Sequence, residues 1–160
     1  MTITNAMRLL KQAGIEFETS SYEVDESDLS GVHAAQMLGI DPDCMFKTLV
    51  TRSDKRNLYV FCIPVAQELD LKKAAKSVGE KSVAMIHVKD INAITGYIRG
   101  GCTAIGMKKQ FVTRLDESAR DQESIIVSGG RIGSQISLKP DDLLKACRGE
   151  YAQITAGSEN

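Results

Sequence analysis

Met45-Phe46-Lys47-Thr48-Leu49-Val50 is the stretch from which the chain is read. Phe46, Thr48 and Val50 fall on one side of a two-residue period. Lys47, Leu49 and Thr51 fall on the other, as in a half-buried strand. Lys47 then stands on a sheet among apolar neighbours. An unpaired ammonium is costly to bury, so its head needs an anion, an acceptor or a route to water. In the plainer reading the aliphatic stem covers apolar surface and the head reaches solvent. In the functional reading the head meets a ligand in a pocket. The glycine-rich run at 96–106 bears on that choice.

The 160 residues are enough for one domain with a sizeable core, and 42% apolar with 26% charged is ordinary globular usage. A formal net charge of −1 argues against a protein held on nucleic acid by its overall charge, while leaving room for a local basic patch. Cys44, Cys62, Cys102 and Cys147 are widely spaced, with no Cys-x-x-Cys pair and no histidine at metal-ligand spacing. Reduced thiols are expected, with neither metal nor disulfide framework. No signal-like or membrane-length apolar run is present, so a soluble cytoplasmic protein is expected.

Thr4 is placed to cap a first helix with Ala6, Leu9, Leu10 and Ala13 on one face and Gly14 as its stop. Alternation from Ile15 suggests a first strand reaching Tyr22. The acidic run Glu23, Asp25, Glu26 and Asp28, with Ser30 and Gly31, reads as a surface loop. Val32 to Leu38 suggests a short helix ended by Gly39, and Asp41-Pro42-Asp43 a turn into the Lys47 strand. Residues 58–64 should pair with that strand as a hairpin across the polar break at 53–57. Asp70 is a cap for a helix with Leu71, Ala74, Ala75 and Val78 inward.

Residues 82–88 read as a strand buried on both faces, with His87 in a structural role. His33, in the short second helix, has no obvious carboxylate or cysteine at partner spacing. Residues 90–94 read as about one helical turn, and 111–115, 125–127 and 135–138 as strands. Pro140 suits the first position of a last helix ended by Gly149, with a short strand around 152–154 after it. The chain reads as one domain over 1–156 with a frayed end at 157–160.

The run from Gly96 to Gly106 holds four of the thirteen glycines, a composition that lets backbone approach another group and present N–H donors to an oxygen. It lacks Gly-Lys-Ser/Thr and does not fit the dinucleotide spacing, and a pair of tight turns would account for it too. Lys108 and Lys109 follow it and add positive charge. Two histidines leave little room for a Ser-His-Asp arrangement. Cys102 is the one position resembling a poised thiol, although a free cysteine is commonly an apolar filler.

Taken together, Tyr22, Phe46-Lys47-Thr48-Leu49, Leu69-Asp70-Leu71-Lys72-Lys73-Ala74-Ala75-Lys76, Thr95-Gly96-Tyr97, Gly100-Gly101 and Val127-Ser128-Gly129-Gly130 resemble the YbaK/EbsC family along nearly the whole chain. The family includes freestanding aminoacyl-tRNA deacylases related to the editing domain of prolyl-tRNA synthetase. The resemblance implies an α/β (α+β) fold: a curled mixed sheet approaching a barrel, flanked by helices. It assigns Lys47 to the family's essential lysine and Tyr22 to the pocket. Gly100, Gly101, Cys102, Thr103 and Ala104 correspond to the segment lining the aminoacyl pocket, with Phe46, Thr48, Gly129 and Gly130 also in the substrate-binding motifs. Ala104 replaces a usual proline, and Ser134-Gln135 follows the second glycine turn where some relatives carry an acid.

The same resemblance implies removal of cysteine from proline tRNA without a cofactor, the cysteinyl thiol attacking its own ester. The alternatives are hydrolysis of another mischarged tRNA, such as an alanyl ester, and a non-catalytic tRNA-end binding module. It implies as partners the aminoacylated tRNA 3′ end and prolyl-tRNA synthetase, which would supply most of the tRNA grip. An ester carbonyl needs its developing oxyanion stabilised, and an ammonium with backbone N–H groups supplies that.

Overall fold

The computed structural model describes residues 3–22 and 31–156. The acidic loop expected at 23–30 and the frayed end at 157–160 lie outside the described residues. The elements run α1 (Asn5–Gln12), β1 (Glu18–Ser21), α2 (Gly31–Leu38), β2 (Phe46–Ser53), β3 (Leu58–Pro64), α3 (Leu71–Ser77) and β4 (Val83–Met85). They continue with α4 (Ile91–Thr95), β5 (Val112–Asp116), β6 (Ile125–Ser128), β7 (Ser134–Leu138), α5 (Pro140–Cys147) and β8 (Glu150–Ala152).

The expected caps are in place. Thr4 Oγ1 accepts the Met7 N–H at 3.2 Å, and Asp70 Oδ1 accepts the Lys72 and Lys73 N–H groups, both at 3.0 Å. Such bonds satisfy donors that a helix start leaves without partners. The helix face differs at two positions: Ala13 and Leu71, expected inward, are exposed. At the end of α5 the left-handed residue is Arg148 (φ 54°), not Gly149. Gly149 has another reason, since a β-carbon there would stand 3.1 Å from the Thr113 carbonyl oxygen.

The expected β2–β3 hairpin forms, antiparallel, with Lys47 opposite Ile63 and Leu49 opposite Phe61. The expected mixed α+β fold flanked by helices is present, with its strands in two sheets not closed as a barrel. A mixed five-stranded sheet has the order β4-β2-β3-β5-β8, and a three-stranded antiparallel sheet the order β1-β7-β6. They meet at a parallel bridge between Met45 and Ile126. The first strand is shorter than its alternation suggests, because Glu18 already pairs with Ser137 near the end of β7 and residues before it have no partner strand. The 82–88 strand shrinks to the sheet edge at β4, where Ala84 and Met85 are exposed and His87 lies beyond it, also exposed. The final strand is Glu150–Ala152 rather than 152–154, with Ile154 buried beyond it.

The alternation of β2 divides the core. Phe46 and Val50, with Val60 and Cys62 of β3, face the main cluster with Met7, Leu10, Ile105 and Ile136. Phe61 and Ile63 face α3 through Ala74 and Ala75 on the other side. A small third cluster joins Ala34, Ala35, Met45 and Val65 to Tyr22 and Ile126. Each large apolar side chain fully buried in this way contributes about 2 kcal/mol over leaving it exposed.

Asp116 ties the C-terminal segment to the five-stranded sheet. It is 3% exposed; Oδ1 accepts the Ile154 N–H at 3.2 Å, and Oδ2 accepts the Ser118 N–H and hydroxyl at 3.2 and 2.6 Å. Asp116→Ala is expected to cost about 2 kcal/mol by urea denaturation, because it leaves buried donors unsatisfied. Asp116→Asn, which keeps an acceptor oxygen, should cost less.

Candidate active site

Lys47 shares its strand face with Met45 and Leu49, between the small cluster under α2 and the cluster under α3. Among the described residues its ammonium makes no hydrogen bond or ion pair. Burial holds its pKa below the usual lysine value, and the negative charge of Glu68 partly opposes that. A half-buried cation without a protein acceptor is suited to meeting a ligand oxygen.

Strand register shows what lies beside it. Met45 meets Ile126 in the parallel bridge, and Lys47 and Ser128 each stand two residues further on, hence on the same face. Ser128 is opposite Gln135, and Gln135 opposite Ser20. Directly opposed residues share a face, so Ser128, Gln135 and Ser20 form one polar row across the three-stranded sheet, on the face that reaches Lys47 through the Met45–Ile126 bridge. Tyr22 continues that face from β1 and packs on the Met45 cluster, and its N–H donates to the Gly133 carbonyl at 3.0 Å.

Gln135 is the functional candidate that sequence reading passed over, noting only the missing acid. It is 4% exposed, yet its amide makes no hydrogen bond among the described residues. A buried amide of this kind offers one acceptor and two donors, without charge, to whatever enters the row. The available signal was the alternation of Gln135 and Ser137 against Ile136 and Leu138.

The two glycine runs come together. A β-carbon on Gly101 would stand 3.1 Å from both the Arg131 carbonyl carbon and the Ile132 nitrogen. The first loop is braced internally: Thr95 Oγ1 accepts the Tyr97 N–H at 3.0 Å, and the Tyr97 hydroxyl donates to the Ile105 carbonyl. Tyr97 also lies against Gly130. Gly129 and Gly130 do not offer free N–H groups, since they donate to Ser134 O and Ser128 Oγ. Arg131, Ile132 and Gly133 have N–H groups with no acceptor among the described residues.

Residues 29–146 match the aminoacyl-tRNA editing domain. The chain belongs to the aminoacyl-tRNA editing domain family. An Enterococcus faecalis protein with the provisional name Cys-tRNA(Pro)/Cys-tRNA(Cys) deacylase EbsC is 49% identical over 95% of this chain and 93% of its own. A structure described provisionally as a trans-editing enzyme for prolyl tRNA synthetase superposes with TM-score 0.80 at 23% identity, over 98% of this chain and 100% of that one. A scaffold protein from computational epitope backbone grafting superposes with TM-score 0.82 at 22% identity, over 97% and 99%. These two likenesses carry the fold alone.

Within this editing domain Phe46 and Thr48 lie across β2 from Lys47, and Cys102 and Ala104 pack with the main core on that side. Phe46 is 3% exposed in the main core, and Thr48 Oγ1 lies 3.7 Å from Cys62 Sγ. Thr103 and Ala104 are buried. Ala104 packs within the main core. Gly100 is exposed and Gly101 buried against the second turn. A separate groove of about 1330 Å³, lined by Lys11, Phe17, Lys139 and Lys145 among others, contains none of these residues. Among the described residues no cluster of His, Cys, Asp or Glu could hold a metal, and no helix is long and apolar enough to cross a membrane.

Cys102 is not poised as a nucleophile. Burial pushes its thiol up to about 11, with a hydrogen bond to Thr95 opposing only in part. At neutral pH it is a protonated thiol packed on the core. Alkylation of Cys102 by iodoacetamide should be slow at pH 7 and accelerate as pH climbs toward 11, read by peptide mass. Cys102→Ser should keep most deacylase activity. Gly101→Ala, forced against backbone atoms, should cost about 1–3 kcal/mol by overpacking, read by denaturant melts.

Proposed function

We propose that the protein is a trans-editing deacylase that removes cysteine mischarged onto proline tRNA, with the substrate's own thiol as nucleophile. One observation carries this reading: a half-buried Lys47 ammonium with no hydrogen bond or ion pair among the described residues, on the face of a row of neutral polar groups. The provisional name of the 49% identical relative supports the cysteinyl substrate. In the proposed step the cysteinyl sulfur, as thiolate, attacks the ester carbonyl. A C–S bond forms, the C–O bond to the terminal ribose breaks, and the ribose oxygen takes up from solvent the equivalent of the proton that the thiol released, giving a β-thiolactone and free tRNA. Lys47 stabilises the oxyanion, while the uncharged Ser128, Gln135 and Tyr22 side of the row receives the aminoacyl group. The second glycine turn, continuous with Ser128 and Gly133, forms the backbone wall, with Gly101 holding it in place.

On this reading the 1–156 region acts as one unit in the cytoplasm, with prolyl-tRNA synthetase presenting the mischarged tRNA. Co-sedimentation of the two proteins with tRNA checks the partnership. Cysteinyl-tRNA should be cleared while seryl- and alanyl-tRNA on the same tRNA body survive. Serine is nearly isosteric, but its hydroxyl is far less ionised, whereas a few per cent of a free thiol is thiolate near pH 7. Recovery of the thiolactone by mass supports the mechanism, and comparable clearance of the alanyl ester would leave a water-based hydrolase instead.

Lys47→Met keeps an apolar stem and removes the charge. It should lower kcat/KM by about 10²–10³, the usual loss of one oxyanion donor, and melt no earlier than the parent at neutral pH. The pH dependence has a definite sign. Because the folded-state pKa of Lys47 lies below 10.5, the unfolded chain binds more protons between the two values. The burial cost is present in full below the folded-state pKa and is relieved as pH rises through it. The parent should therefore gain stability relative to Lys47→Met across that alkaline window.

A further inference from the structure

The net charge is −1, yet residues 96–115 and 124–140 contain no Asp or Glu. They carry Arg99, Lys108, Lys109, Arg114, Arg131 and Lys139. The fold packs these two acid-free stretches backbone against backbone at Gly101 and Arg131. Two of the cations are occupied. Arg114 donates to the Ser77 carbonyl and lies 3.5 Å from Glu150, and Lys108 Nζ donates to the Ala93 carbonyl at 3.2 Å. Arg99 and Arg131 are exposed and make no hydrogen bond or ion pair among the described residues. Arg99 precedes Gly101 by two residues, so both guanidinium side chains rise from the joined glycine loops. Those loops adjoin the polar row through Ser128 and Gly133.

We propose that Arg99 and Arg131 form a clasp for the phosphodiester backbone of a single-stranded RNA end. The clasp directs the terminal ribose toward the Lys47 row, a role that rests on the deacylase reading. A guanidinium presents a planar fork of donors that matches phosphate oxygens, and it stays charged at any working pH. RNA is favoured over a protein partner because the cations are concentrated in two acid-free stretches packed together, which suits a polyanion and would repel basic partners. The low net charge then limits grip elsewhere on the chain, and RNA binding concentrates where the ester must be delivered.

The test measures binding of uncharged tRNA at several salt concentrations to the parent, Arg99→Gln, Arg131→Gln and the double variant. Lys72→Gln with Lys76→Gln on the exposed face of α3 removes equal charge away from the loops. Each arginine that contacts a single-strand phosphate should account for about 0.7 of the log–log salt slope. The double variant should thus lose about 1.4 of slope and bind at least about tenfold more weakly at low salt, while the α3 control keeps the parent slope. The advantage of an aminoacylated tRNA over a phosphate-free aminoacyl nucleoside ester in kcat/KM should also shrink in the arginine variants. An unchanged slope, or an equal loss in the α3 control, overturns the clasp. So does loss of synthetase co-sedimentation with RNA binding intact, which would make the surface a protein interface. If no ester of any kind is turned over but the arginine-dependent slope persists, the deacylase reading falls and the RNA clasp stands.

Discussion

The two sheets touch where the backbones of Met45 and Ile126 pair in parallel, and the arrangement of the polar row depends on that junction. Apolar packing holds it: Met45 and Val65 are buried with Ala34 and Ala35, and Tyr22 and Ile126 close over them. The Val65 N–H also donates to the Met45 carbonyl at 2.8 Å, extending the hairpin to the edge of the junction. A single strand cannot slip there by one residue without exchanging its buried and polar faces. The same constraint that buries Met45 therefore aims Lys47 at the neighbours of Ser128.

Among the described residues, the neutral side chains of the polar row are as important as the Lys47 cation itself. Gln135, in the row, is an amide, and the carboxylate whose charge is felt is that of Glu68. A carboxylate in the row would favour a charged pair with the ammonium. An amide leaves the ammonium available while keeping donors and an acceptor for a polar substrate. Desolvation strengthens what the ammonium can do for a developing negative charge, because the interaction is less screened than in water.

The thiols fit this division of labour. Cys62, Cys102 and Cys147 belong to or pack against the main core, and burial raises all three above the ordinary thiol value. They act as small apolar side chains. Among the described residues, a lysine, neutral hydrogen-bonding groups and thiols raised above their ordinary value support the proposed reading in which the substrate brings its own nucleophile.

Local features were legible in the sequence. The faces of β2, the β2–β3 hairpin, the caps at Thr4 and Asp70 and the start of α5 at Pro140 follow from side-chain period, turn chemistry and hydrogen bonds within a few residues. The same period already separated Lys47 from Phe46 and Thr48, although the family motif joins them as neighbours. The edge position of β4, the early end of β1 pairing and the division into two open sheets depended on which strands found partners. Gly101 against Arg131 and the row from Lys47 to Gln135 join residues tens of positions apart. Local composition determined that the strands and glycine turns would exist; only the burial of Met45 and Ile126 against one another decided which polar groups would face Lys47, because long-range pairing is selected by the packing of the whole core.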